Sequence, residues 1–68
     1  MDSEKAGRRI RLLREKAGET QEELGAVVGV TGSSICQYEA GLKTPRDDVK
    51  IAIAKHYNRS VAFIFFRP

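Results

Sequence analysis

A chain of 68 residues with a formal net charge of +3 can enclose only a modest core, so it reads as a single domain that a second copy would stabilise. Its one cysteine, Cys36, and one histidine, His56, exclude an internal disulfide and make a metal cage implausible, and nothing calls for a cofactor. Met1 to Lys5 is polar, no apolar run is long enough to span a bilayer, and a lone thiol suits a reducing compartment; a cytoplasmic protein with no membrane partner is expected, its mild basicity compatible with a polyanion.

Apolar spacing predicts an all-α fold of five short helices, at about 5–17, 21–28, 32–40, 46–57 and 61–65, with no strands. In the first, Ala6, Ile10, Leu13 and Ala17 share one face, Arg8, Arg9, Arg11 and Arg14 occupy the others, and Gly18 stops the helix. The second opens at Thr20, where Glu23 is placed to complete a capping box. Leu24, Val27 and Val28 form its apolar stripe, and Gly29 supplies a left-handed stop. Thr31 caps the third helix, Val30 and Ile35 are spaced as a hydrophobic staple, and Ile35 and Tyr38 point inward.

Leu42 to Arg46 is a loop, after which either Thr44 or Asp47 caps a fourth helix lined by Val49, Ala52, Ile53 and Tyr57. Asn58 suits a left-handed stop. Ser60 can cap a last helix containing Val61, Ile64 and Phe65. Two helices joined by a tight turn at Gly29 have the geometry of a helix-turn-helix unit.

The runs Thr20-Gln21-Glu22-Glu23-Leu24, Val28-Gly29-Val30-Thr31, Ser34-Ile35 and Tyr38-Glu39-Ala40-Gly41 resemble the phage repressor/Cro-like (XRE-type) helix-turn-helix family. Pro45, Ile53-Ala54-Lys55 and the stretch from Ser60 to Phe65 extend the likeness from about Gly7 to Phe65. The resemblance implies a five-helix Cro/repressor-like fold and a sequence-specific transcriptional regulator, more a repressor than an activator, that binds double-stranded DNA as a homodimer. It implies that Ser33 and Gln37 read base edges in the major groove, with Ser34 either on phosphate or in the cap. It sets Gln21, Lys43 and Arg46 against the backbone or minor groove and pairs Arg14 with Glu39 structurally; Thr31 and, from the basic cluster of the first helix, Arg9 or Arg8 are further backbone candidates, a solvated face being the alternative. Two positions depart from the family. Gly25 stands where alanine is usual, and Gly32 where a long polar side chain often stands.

Phe63 and Phe66 cannot both turn inward from so short a helix, which makes them candidate dimer contacts. Cys36, beside Gln37, reads as a space-filling residue, with a redox switch as the sharper alternative, and His56 as an exposed residue of the fourth helix. No nucleophile and base stand together, so an enzyme is not expected. Two rival readings share the fold: a DNA-binding antitoxin whose tail holds a small protein partner, and a helical protein-interaction module that does not bind DNA.

Overall fold

The computed structural model describes all residues, Met1–Pro68, and contains four α-helices and a terminal π-helical turn. Helix α1 spans Ser3–Lys16. It begins two residues earlier than the apolar spacing predicts, because the Asp2 carboxylate accepts the N–H groups of Glu4 and Lys5 at 3.0 and 3.1 Å.

Helix α2, Gln21–Val28, carries a complete capping box: Thr20 Oγ1 accepts the Glu23 N–H at 3.0 Å, and the Glu23 carboxylate accepts the Thr20 N–H at 2.8 Å. Gly29 ends it at φ 83°, a left-handed conformation that glycine adopts without steric penalty. The N–H groups of Gly29 and Val30 both return to the Gly25 carbonyl at 2.9 Å, which folds the turn onto the helix. A β-carbon at Gly25 would lie 2.6 Å from the Val30 carbonyl oxygen, so the apparent departure at 25 is what lets this turn close.

Helix α3 spans Gly32–Glu39 and helix α4 Asp47–His56. Neither Thr44 nor Asp47 caps α4. Arg46 occupies the cap position without a side-chain bond, and the Thr44 hydroxyl instead meets that of Ser3 at 3.0 Å. The last segment, Ala62–Phe66, is a π-helical turn rather than the α-helix expected at 61–65, although the Ser60 hydroxyl does accept the Phe63 N–H at 3.0 Å.

One core joins these elements. Ala6 and Ile10 of α1, Leu24 and Val28 of α2, Ile35 and Tyr38 of α3, and Val49, Ile53 and Ala54 of α4 close over Ile64 and Phe65. Leu13, Ala52, Tyr57 and Val61 sit half-buried at its margin. Two residues expected inside are outside: Ala17, past the end of α1, and Val27, 58% exposed. Val27 lies about 100° around α2 from Val28 and falls off the narrow stripe that Leu24 and Val28 bury. No helix is long and apolar enough to cross a membrane.

Candidate nucleic-acid interface

With Ile35 and Tyr38 committed to the core, helical spacing turns Ser33, Cys36 and Gln37 outward, and all three are exposed. The surface therefore presents the N-terminal half of α3, a single helix of the width a major groove admits. The start of α3 is fixed by Thr31, whose Oγ1 accepts the Ser34 N–H at 3.1 Å and donates to Ser34 Oγ at 3.2 Å. Ser34 is thus part of the cap, the structural half of its two expected roles.

Four of the residues assigned to DNA from the sequence meet in one groove. Thr31, Ser34, Lys43 and Arg46, with Thr44 beside them, line an open hollow of about 360 Å³ flanking α3. Arg46 lies 3.7 Å from the Asp48 carboxylate, but both side chains are largely exposed, so the tie is weak and the guanidinium is available to a stronger anion.

Gly32 needs a different reading. A β-carbon there would come within 2.7 Å of Glu22 Cγ and 3.1 Å of Glu22 Cα. Position 32 faces α2, and its glycine serves the close approach of two helix starts rather than marking a missing base reader.

The other end of α3 is fastened by a polar network. Arg14 Nε donates to Glu39 Oε2 at 2.6 Å and Arg14 Nη2 to Glu39 Oε1 at 3.1 Å, a two-point ion pair whose side chains are 12% and 5% exposed. The hydrogen bond to Glu39 raises the Arg14 pKa above its ordinary value, against the opposing effect of burial. Gln21 Nε2 donates to the same Glu39 Oε1 at 3.0 Å. One donor of the Gln21 amide is therefore spent on α3 and one remains.

A second network, with no signal at local sequence spacing, centres on Glu19. Tyr57 Oη donates to Glu19 Oε1 at 2.6 Å, His56 Nε2 lies 2.5 Å from Oε2, and Arg14 Nη1 donates to the Glu19 carbonyl at 2.7 Å. His56, exposed on α4 as expected, is also the partner of Glu19 in the loop before α2. Burial opposes ionisation of Glu19, but the hydrogen bonds from Tyr57 and His56 and the charges of His56 and Arg14 outweigh it and hold the carboxyl below the usual range. Burial, then the bond to Glu19, pushes the Tyr57 hydroxyl well above its ordinary value.

Three assigned residues lie elsewhere. Arg9 does not stand with the others: Nη1 and Nη2 donate to the carbonyls of Ile64 and Pro68, both at 3.2 Å, and tie the tail to α1. Phe63 is half-buried, with the guanidinium groups of Arg59 and Arg67 against its ring, whereas Phe66 is 54% exposed. Phe66, with the Lys50 ammonium 5.3 Å from its ring centre, is the more exposed of the two.

An outward-facing helix set across a second helix by a glycine turn, capped at one end and braced at the other, defines a helix-turn-helix protein of the DNA-binding class. Residues 5–62 match the family described as Helix-turn-helix domain, and the chain belongs to that family. The P22 c2 repressor protein, solved in complex with synthetic operator 9T in the presence of Tl+, is similar at 31% identity and a TM-score of 0.86, over 90% of this chain and 92% of that one. The clp gene regulator ClgR from C. glutamicum shares the fold at 23% identity and a TM-score of 0.80, over 94% of this chain and 83% of that one. No curated protein matches. Within its family the chain stands with the phage repressor/Cro-like regulators.

Proposed function

We propose that this DNA-binding regulator is a repressor that occupies a palindromic operator as a two-fold dimer. The observation that carries the reading is the outward, unobstructed N-terminal half of α3, with Ser33 and Gln37 exposed while Ile35 and Tyr38 anchor the helix beneath them. Gln37 pairs its amide with adenine, Ser33 bonds a neighbouring base, and Lys43, Arg46, Thr31 and Gln21 hold the flanking backbone. The similar P22 c2 repressor bound to a synthetic operator supports duplex DNA as the ligand. The protein acts by occupancy in the cytoplasm and performs no chemistry of its own.

The dimer forms through the face that joins α4 to the tail. Ile51 is 46% exposed there and Phe66 54%, beside Asp47 and Lys50 around a hollow of about 380 Å³. An apolar patch with one acid and one base is self-complementary under a two-fold axis. A two-fold dimer on a palindromic site needs its two α3 helices about 34 Å apart, one turn of DNA.

Selection of bound duplexes from a random pool, followed by footprinting, tests the whole reading. A two-fold site is expected, with steep salt dependence. Gln37→Ala should relax preference at one position per half-site by about 1–3 kcal/mol. Equal loss on every sequence would remove Gln37 as a reader, and no binding at low salt would remove the regulator. Phe66→Ala should shift sedimentation toward monomer; an unaltered mass overturns the dimer face.

A further inference from the structure

A groove runs between α1 and the terminal turn, on a side of the molecule that DNA reading does not use. Its floor is Leu12, 65% exposed, with Leu13 and Phe63; its walls are Arg9, Lys16, Arg59 and Arg67. No carboxylate side chain lines it, and none of its four cations belongs to an ion pair, although Arg8, Arg11, Arg14, Arg46 and Lys50 elsewhere all do. The groove's three arginines are held in place without an acidic side chain against them. The Arg67 guanidinium stacks 4.2 Å and that of Arg59 5.8 Å from the Phe63 ring centre, and Arg9 is braced by two backbone carbonyls.

The orientation separates this groove from the DNA-facing surface. On α1, Gly7 and Arg14 face α3: a β-carbon at Gly7 would strike the Tyr38 and Glu39 carbonyls, and Arg14 pairs with Glu39. Lys16 is nine residues from Gly7, which at about 100° per residue is two and a half turns, so it points the opposite way, with Leu12 and Arg9 close to it. Four like charges also disfavour a second copy as occupant, since a two-fold contact would bring cations against cations. The volume, about 260 Å³, falls just short of the roughly 300–1,000 Å³ typical of small-molecule pockets. It suits an apolar side chain projecting from a larger partner.

We infer that this groove docks an acidic, amphipathic peptide segment of a partner protein, an apolar side chain seated on Leu12, Leu13 and Phe63 and flanking carboxylates on Lys16, Arg59 and Arg67. The anchor removes apolar surface from water, and the carboxylates meet cations that have no ion-pair partner in the free protein. Binding there leaves α3 open, so the partner and the duplex are held at once.

The test is titration of the full chain with a labelled synthetic helix bearing glutamates on one face and leucines on the other, against a lysine-substituted version. The acidic peptide should bind and weaken with salt, and the lysine version should not bind. Lys16→Glu with Arg59→Glu should weaken the acidic peptide by about tenfold for each reversal. Leu12→Asp, at a position outside the core, should abolish it. In the unaltered protein, amide shifts should concentrate at Leu12, Leu13 and Phe63. Acidic-peptide binding unaffected by these changes, shifts centred on α3, or no binding of that peptide overturns the inference. So does loss of duplex binding in the Lys16→Glu, Arg59→Glu protein, which would make the groove a nucleic-acid surface.

Discussion

Glu39, at the end of α3, and Glu19, in the loop before α2, are both drawn inward by side chains from other helices, but their partners differ in kind. Glu39 meets Arg14, a cation at any attainable pH, and the neutral amide of Gln21. Glu19 meets a phenol, Tyr57, and an imidazole, His56, and both Glu19 and Tyr57 have pKa values displaced by the contact. Arg14 touches both sites, through Glu39 and through the Glu19 carbonyl. The recognition helix is thus braced by a permanent charge pair, and the loop that leads into α2 by a titratable one.

The largest expected effect comes from removing the shared cation. Arg14→Ala strands a nearly buried carboxylate and should cost about 3–5 kcal/mol of stability in denaturant titration, a large share of what a small domain has. Glu39→Gln separates the two sites, because it leaves the bond from Arg14 to the Glu19 carbonyl in place. A loss from Arg14→Ala no larger than that of an exposed pair, about 1 kcal/mol or less, would erase the contrast between the braces.

The next effect depends on pH. Folding lowers the Glu19 pKa below its ordinary 4.5. The stability this carboxyl adds is therefore complete above that value and fades as pH falls through the folded value. Tyr57 has the opposite sign: its pKa is raised on folding, so its contribution is full below its ordinary 10.0 and is lost only as pH climbs through the folded value. Glu19→Gln should cost about 1.5–3 kcal/mol near neutrality, the range for hydrogen bonds to charged groups, and flatten the acid limb of stability against pH. Parallel acid limbs in the two proteins would show that Glu19 is not the titrating brace.

The contrast also explains what could be seen in the sequence. The α2–α3 unit was legible because its determinants are local: Thr20 with Glu23, Gly29, and Thr31 with Ser34 all act within three or four residues. Arg14 and Glu39 were legible only through a family resemblance. The contacts of Glu19 with His56 and Tyr57 span 37 and 38 residues and carry no periodic signal. The same holds for Ser3 with Thr44, which drew Thr44 away from capping, and for Arg9, whose place against the tail carbonyls no helical wheel reveals. The role of Gly32 carries no local signal, because the direction of a missing β-carbon depends on how two helices cross. Asp2, by contrast, carries a local cap signal, an aspartate two residues before Glu4.

The smallest effect falls on Gln21, where brace and interface meet. Its amide carries two donors, one spent on Glu39 Oε1. The residue also opens α2, whose first turn has free N–H groups and the positive end of the helix dipole, a place suited to phosphate. Gln21→Ala should therefore cost about 0.5–1.5 kcal/mol of stability, because Arg14 still satisfies Glu39. If the second donor grips phosphate, the same change weakens every duplex alike and leaves base preference intact. Gln21→Glu sharpens the test: it sets a carboxylate beside Glu39 and a charge against phosphate, so both readouts should worsen together. Loss of stability with unchanged duplex affinity in Gln21→Ala would confine Gln21 to the brace and leave phosphate to the backbone amides of α2.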